Sequence, residues 1–366
     1  MKLFRLFLTV FMLVMAFKPV LADESKSLNV VVSIQPIHSL VAGVMKGVET
    51  PHLLIAGQSN PHHFQLKPSQ AAHLSKADLV VWVGPSLESR LVKPLASGVK
   101  KGRGFSLLSL DGLTLREMRG DHNHHDHGSD KAKHDDHDDH DHHAKSHDDH
   151  KHKEHKHKKH GHDDHKNEKH DEHGHDDHGH DDDKDHAKAE QRKAVDPHIW
   201  LDVDNAIVIT RAVAARLSKL SPSHASRFEA NAQAQIKRLQ QLKHTLTTDL
   251  SPVSKRAFMV FHDAYQYFSR AFGLSYAGSI ATQSEVSPSA KHMRDLKKKL
   301  VEENVGCVFS EPQHSDKLVK ALIDNSSVKN AQLDPLGAGL APGPDSYFQM
   351  MSKLGQDVSA CLASPS

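Results

Sequence analysis

Residues 28–34 read Leu28-Asn29-Val30-Val31-Val32-Ser33-Ile34, and this stretch decides the fold. A short, almost continuous apolar run is typical of a strand that is buried on both faces of a parallel sheet. Further strands of this kind are predicted at residues 52–55, 78–83 and 105–110. Helical patterns lie between them, at residues 37–45 and 68–76. Strands that alternate with helices at this spacing predict a β/α lobe built on a parallel sheet.

The second half of the chain repeats the pattern. Strands are predicted at residues 257–261, 274–280, 305–309 and 328–333. The helices predicted between them cover residues 264–272, 288–304 and 315–325. Four strands in each half predict an α/β fold with two similar β/α lobes, each built on a parallel four-stranded sheet.

One long helix is predicted between the two halves. Ser221 caps it, Pro222 occupies its first helical position, and an apolar stripe continues until Ser251-Pro252 ends the pattern. At 1.5 Å per residue, residues 222–250 would span roughly 43 Å, which is longer than one lobe needs. We therefore expect a stiff strut that joins two lobes rather than a core helix.

A segment that cannot form a core interrupts the first lobe. Of the 66 residues at positions 121–186, 23 are histidine, 22 are aspartate or glutamate, and none is Val, Ile, Leu, Phe, Tyr or Trp. Because this His-rich tract has no apolar surface to bury, it cannot offset the entropy cost of ordering. We therefore expect a disordered insertion.

The composition of the tract indicates metal binding, since imidazole and carboxylate groups are ligands for zinc and its first-row neighbours. A solvated charge run or a solubilising spacer is the alternative, but acidic residues alone would serve that role. Weak secondary metal sites are expected at His122, His124, His125, His127, His137, His140, His142, His143, His173, His175, His178 and His180.

The formal charge of +1 hides an asymmetry. The tract holds 22 acidic and 11 basic residues, so its charge is −11 and the rest of the chain carries +12. We expect the tract to attract cations. No basic patch interleaved with aromatic residues indicates nucleic-acid binding.

The N-terminus has the pattern of an export signal. Lys2 and Arg5 precede an apolar run at residues 6–17, and cleavage is expected after Ala22. A transmembrane anchor is the alternative, although Lys18 leaves the run short for a bilayer. Because no cysteine follows the expected cleavage position, no lipid anchor is predicted, and the mature protein is expected to be soluble and periplasmic.

These features divide the chain into predicted parts. They are a signal peptide at residues 1–22, an N-terminal lobe at residues 23–221 that contains the tract, the linking helix at residues 222–250 and a C-terminal lobe at residues 251–366.

Cys307 and Cys361 are the only cysteines of the chain. An even number in an oxidising compartment predicts a disulfide, and the spacing excludes a Cys-x-x-Cys zinc or redox motif. The bridge would close a loop of roughly 54 residues, worth at most about 4 kcal/mol in the chain-entropy model.

Polar residues that follow predicted strands are candidate ligands, because open α/β sheets bind ligands beyond the carboxyl ends of their strands. His262 and Asp334 directly follow strands, His62 and His63 lie in a loop after the second strand, and His198 begins the segment after the tract. Singly, each is more simply explained as a structural or exposed residue. Three imidazoles and a carboxylate could together close the tetrahedral shell that Zn²⁺ prefers. We interpret as ordinary surface or core residues His38, His52, His73, His224, His244, His292 and His314.

Several spaced motifs resemble one protein family in the correct order. They are Asn60-Pro61-His62, Lys67-Pro68-Ser69, residues 77–84, Asp196-Pro197-His198-Ile199-Trp200-Leu201, Phe261-His262-Asp263-Ala264-Tyr265, Ser287-Pro288-Ser289 and Leu333-Asp334-Pro335-Leu336-Gly337. Together they resemble the metal-specific periplasmic binding proteins of ABC importers, and most closely the zinc-binding members. The resemblance covers residues 28–361. It implies two β/α lobes joined by a rigid helix, a metal in the cleft between them, and delivery to a membrane permease with its cytoplasmic ATPase.

The resemblance also implies a ligand set. His62, His198 and His262 match the family's three zinc-binding histidines, and Asp334 matches the carboxylate that many members use as fourth ligand. The disulfide and the acidic His-rich insertion match the zinc subgroup. Some zinc members carry Glu just before the first ligand, where this chain has Pro61, so the fourth ligand stays open between Asp334, a water and a tract residue. His63 is an unusual neighbour that could compete with His62.

The leading hypothesis is therefore a periplasmic, monomeric, non-enzymatic protein that captures Zn²⁺ for an ABC importer. A manganese-binding member of the family is one alternative, but manganese favours oxygen ligands and its binders tend to carry Glu at the position of His262. A zinc-buffering or storage protein that acts through the tract is another. A zinc hydrolase is disfavoured, because the sequence has no His-Glu-x-x-His motif and no evident base beside the histidines.

Overall fold

A computed structural model describes residues 27–100, 102–119, 194–281 and 287–363. The predicted signal peptide at residues 1–22 and the His-rich tract, with its weak metal sites, lie outside the described residues. The domain boundaries at residues 22, 221 and 250 also stay predictions.

Two parallel four-stranded sheets form the framework of the described residues, as the sequence predicts. Their strands are β1 (Val30–Ile34), β2 (His52–Ile55), β3 (Leu79–Trp82), β4 (Gly104–Ser106), β5 (Phe258–His262), β6 (Tyr276–Ala281), β7 (Cys307–Ser310) and β8 (Lys329–Gln332). The first sheet has the order β2-β1-β3-β4 and the second has the order β6-β5-β7-β8. The two lobes therefore share one topology, and every residue of the central strands β1 and β5 is buried.

Helices cover the sheets and link them. Within the described residues they are α1 (Gln35–Val44), α2 (Pro68–Lys76), α3 (Val92–Gly98), α4 (Val203–Leu220), α5 (Ala225–Leu250), α6 (Gln266–Ala271), α7 (Ala290–Glu302), α8 (Lys317–Ile323) and α9 (Ser346–Ala363). Within the same ranges, no helix combines the length and the apolarity needed to cross a bilayer.

Two details of the predicted elements are wrong. The strand predicted at residues 105–110 ends at Ser106, and a 3-10 turn at Leu107–Ser109 follows it, because β4 is an edge strand that pairs only with β3. The long helix begins as a 3-10 turn at Pro222–His224 before α5 starts, so Ser221 does not cap it directly.

The long helix α5 joins the two lobes, and it is also part of the core. Phe228, Leu239 and Leu250 lie on its buried face, and it packs against α4, α9 and α1. One hydrophobic cluster includes residues of β1, α5 and β7. The strut predicted from the sequence is therefore held along one face, which couples the lobes through shared apolar packing.

The predicted disulfide is confirmed. Cys307 in β7 is bonded to Cys361 in α9, with the two Cα atoms 6.2 Å apart. The bridge fastens the C-terminal helix to the second sheet, and neither cysteine lines the cleft cavity that holds the candidate ligands.

Replacing both cysteines by serine lowers the free energy of unfolding by up to about 4 kcal/mol, because the unfolded chain loses its 54-residue constraint. The zinc affinity predicted from the sequence should stay nearly unchanged, since neither cysteine lines the cavity that holds the candidate ligands. Denaturant unfolding and a zinc competition titration of the same variant test both statements. Labelling of both cysteines as free thiols in native exported protein would contradict the assignment.

Candidate metal centre

The candidate centre lies at the carboxyl edge of the second sheet, where its topology reverses. The strands β6 and β7 flank β5 on opposite sides, and ligands of open α/β sheets bind at such a switch point. His262 is the last residue of β5, and Glu311 directly follows β7. The rigid sheet therefore places an imidazole and a carboxylate side by side.

His198 enters from the segment that follows the tract. A bridge between Glu117 and Val195 closes the base of the insertion, and the N–H of Asp196 donates to the carbonyl of Arg116 at 2.8 Å. The 3-10 turn at Ile199–Leu201 follows, and the indole N–H of the buried Trp200 donates to the carbonyl of Pro335 at 2.8 Å. These contacts fix the backbone on both sides of His198.

His62 enters from the first lobe on a tight turn. The Asn60 side-chain oxygen accepts a hydrogen bond from the N–H of His62 at 3.0 Å, and its carbonyl accepts from the N–H of His63 at 3.2 Å. An Asn-Pro pair is a typical start for such a turn, because the amide mimics a backbone acceptor and Pro61 fixes its own φ.

The structure brings His62, His198 and His262 together. Each offers a ring nitrogen, and the three nitrogens lie within 4.8 Å of one another. The Nε2 atoms of His198 and His262 are 3.3 Å apart, and the ring centroid of His62 lies 5.5 Å from that of His198 and 5.9 Å from that of His262. Three convergent imidazoles from two lobes can coordinate a transition-metal ion.

Two buried carboxylates fix the tautomers of this cluster. Nδ1 of His198 lies 2.7 Å from Oδ1 of Asp196, and Nδ1 of His262 lies 2.9 Å from Oε2 of Glu311. Because ionised carboxylates only accept hydrogen bonds, both Nδ1 atoms must carry the proton. In the neutral rings the two Nε2 lone pairs then face each other, an arrangement that a proton or a metal cation between them would stabilise. Carboxylate–histidine pairs of this kind orient metal ligands in proteins.

The protonation of the cluster favours metal binding at one ring and opposes it at another. Burial and the neighbouring imidazoles lower the pKa of His62 to about 2, so this ring is neutral and ready to coordinate. Burial also lowers the pKa of His262, but the charge and hydrogen bond of Glu311 outweigh it, and the net pKa is raised. A metal ion therefore competes with a proton more strongly at His262 than at His62.

The carboxylate of Asp334 does not join the metal-capable groups of the described residues. It accepts hydrogen bonds from Nε2 of Gln313 and from the backbone N–H groups of Leu336, Gly337 and Ala338 at 2.7–3.1 Å. Asp334 here caps its own loop, the turn role that the sequence left open for it. The fourth-ligand assignment of Asp334 has no support in this geometry and stays a prediction.

Sequence reasoning missed three residues of this site: Asp196, Glu311 and His314. His314 is not the ordinary residue expected, because its Nε2 lies 3.8 Å from Oε2 of Glu311. A signal for Glu311 was present, since it lies two residues after the strand predicted at residues 305–309. Asp196 is separated from His198 only by Pro197, and an acidic residue two positions before a histidine can accept a hydrogen bond from its imidazole.

Replacing Asp196 by asparagine lowers zinc affinity by about 10–100-fold, the usual effect of losing a group that orients a metal ligand. Its Oδ1 accepts from both the N–H and Nδ1 of His198, and its Oδ2 accepts from Nε2 of Gln266. An amide has one acceptor oxygen, so it cannot serve all three donors.

A competition titration measures this change. The matched control is Asp202→Asn, because Asp202 is also buried but caps α4 through the N–H of Asp204. Equal affinity losses in both variants would reduce the role of Asp196 to folding.

The sequence and fold of this chain are similar to those of known proteins. Over residues 30–361 the chain matches the family described as zinc-uptake complex component A, periplasmic. It is 37% identical over 337 residues to the high-affinity zinc uptake system protein ZnuA of Brucella suis, and 31% identical over 336 residues to that of Yersinia pestis, with 92% of each chain covered in both comparisons. A crystal structure of a ZnuA deletion mutant with zinc bound has a TM-score of 0.65 at 22% identity and covers 93% of this chain and 100% of that chain. The chain belongs to the ZnuA family of periplasmic zinc-uptake components.

Proposed function

We propose that this protein captures Zn²⁺ in the cleft between its lobes through His62, His198 and His262, and hands it to the membrane permease of an ABC importer. The observation that carries this proposal is the pair of Nε2 atoms 3.3 Å apart, each on a ring whose Nδ1 faces a buried carboxylate. Such an arrangement is preorganised for a cation, so little ordering entropy opposes binding. The relatives named as zinc-uptake proteins support the same cargo.

The donor set favours zinc over manganese. Three imidazole nitrogens suit zinc, whereas manganese prefers carboxylate, carbonyl and water oxygens. The carboxylate of Asp334, the candidate oxygen ligand, already accepts hydrogen bonds from four N–H groups. The manganese alternative is therefore the weaker one.

Delivery follows from the origin of the ligands. His62 belongs to the first lobe and His262 to the second, so a bound ion ties the two lobes together. A permease that shifts one lobe relative to the other would withdraw a ligand and open the shell. Release then needs no chemical step, and no catalytic turnover is expected.

Competition titration of the full chain against a high-affinity chelator tests this function. One zinc equivalent per chain should resist the chelator, and manganese should not. A strain that depends on this protein for zinc uptake should grow in chelator-treated medium, and the His262→Ala variant should fail to support that growth. If all bound zinc is lost to the chelator, the weak sites of the tract account for binding and the storage alternative replaces this one.

A further inference from the structure

A second group of metal-capable side chains adjoins the three-histidine site. His262, Glu311 and His314 each offer a ligand atom, and these atoms lie within 4.8 Å of one another. The Glu311 side chain is only 2% exposed, and that of His314 is 13% exposed. A buried carboxylate beside two imidazoles is a donor set that suits zinc and its neighbours.

The fold holds these three residues in place independently of any ion. Glu311 follows the buried strand β7, and its carbonyl accepts from the N–H of His314 at 3.2 Å. The His314 ring stacks on Phe261, with centroids 4.6 Å apart and planes 26° apart. Phe261 precedes His262 in β5, so strand, ring stack and turn together fix the spacing of the group.

Gln313, which lines the same cavity, carries a further side-chain oxygen. Gln313 lies between Glu311 and His314, and its Nε2 donates to Asp334 at 3.0 Å. That bond fixes the amide orientation and leaves the buried Oε1 without a hydrogen-bond partner among the described residues. Gln313 lines the same cavity as His62, His198, His262 and His314. A buried acceptor without a partner costs free energy unless a water or a ligand satisfies it.

We propose that Glu311, His314 and Nδ1 of His262 form a second coordination position for Zn²⁺, which an ion occupies while entering or leaving the three-histidine site. This proposal rests on the proposed function, because it describes how the same cargo moves. The two nitrogens of His262 face opposite ways: Nε2 faces His198, and Nδ1 faces Glu311. The ring can therefore serve either position.

A neutral imidazole keeps one proton, so it offers one nitrogen to a metal at a time. An ion on Nε2 leaves the Nδ1–H to donate to Glu311, and an ion on Nδ1 displaces that hydrogen bond and moves the proton to Nε2. The two positions therefore exclude each other. The cleft holds one ion, and the second position serves transit rather than storage.

Crystals of the full chain grown with zinc and measured at the zinc absorption edge test the position directly. Wild-type protein should show one cleft peak, among His62, His198 and His262. In His62→Ala the three-histidine site keeps only two imidazoles. The zinc peak should then move to within about 2.0–2.2 Å of a Glu311 carboxylate oxygen and of Nε2 of His314. Adding His314→Phe should abolish that peak, while the phenyl ring keeps the stack on Phe261.

The outcomes separate this proposal from the proposed function. A wild-type peak away from the three histidines would overturn the proposed function. A normal wild-type peak, together with a His62→Ala peak that stays between His198 and His262 or is absent, would overturn the second position alone.

Transfer rates test the transit role. In His314→Phe, zinc transfer from the full chain to a chelator, followed by stopped flow, should slow by about tenfold. The matched control is His292→Phe, because His292 is half-buried on α7 and bonds the carbonyl of Ser279, away from the cleft. A wild-type rate in His314→Phe, with the fold intact by circular dichroism, would overturn the transit role.

Discussion

Replacing His262 by alanine should remove most of the tight zinc binding that we propose for this protein, and replacing His198 should have the same effect. Each substitution takes one of three nitrogens from a preorganised shell, and the two remaining imidazoles bind an ion far more weakly. The loss should exceed about 100-fold, since groups that only orient a metal ligand are already worth 10–100-fold. A competition titration of the full chain measures it as the disappearance of the chelator-resistant equivalent.

The His262 variant also needs a stability control. Alanine at position 262 removes the imidazole that lies 2.9 Å from the buried carboxylate of Glu311, and a buried charge that loses such a partner is costly. The matched variant is His38→Ala, because His38 is buried in the first lobe, bonds the carbonyl of Pro51 and lies outside the cleft. It should lose stability and keep zinc. Tight binding that persists in either His198→Ala or His262→Ala would refute the ligand assignment.

The position of the centre could be predicted from the sequence because the pattern of the buried strands was clear. Continuous apolar runs such as residues 28–34 identified strands buried on both faces, and parallel strands bring the residues after their carboxyl ends to one edge of the sheet. His262 was found by that rule alone. His62 and His198 were candidates from their loop positions, but only the family resemblance marked them as ligands, because turns carry no periodic signal that places them beside a strand of the other lobe.

The electrostatic arrangement of the centre could not be predicted in this way. Whether Asp334 faces a metal or its own backbone depends on which loop N–H groups lack partners, and only the folded turn at Leu336 to Ala338 decides it. The pairing of Glu311 with His262 depends on strand order, since β5 and β7 are neighbours although the two residues are 49 positions apart in the sequence. Local patterns do not encode such long-range contacts.

Deleting residues 121–186 should leave one tight zinc per chain, abolish the additional weak equivalents and preserve the fold. The base of the insertion explains the last point. Glu117 pairs with Val195, and the N–H of Met118 donates to the carbonyl of Ala194 at 2.8 Å, so the two ends lie side by side and a short connection can join them. A zinc-bound crystal structure of a ZnuA deletion mutant shows that a shortened relative can still hold the metal.

The weak equivalents should behave differently from the tight one. Because the sequence of the tract has 23 histidines and no Val, Ile, Leu, Phe, Tyr or Trp, we expect ordering entropy to oppose each ion that it binds, so each of its sites should be far weaker than the cleft. Only the neutral ring coordinates, so these sites should empty as the pH falls through the imidazole range near 6.5.

The tract would act as a tethered reservoir that raises the local zinc concentration and steers cations by its charge of −11. The deletion variant should therefore support growth when zinc is plentiful and fail when it is scarce. Equilibrium titration decides between capture and storage: if the deletion removes the tight equivalent, the tract is the primary site and the cleft is not.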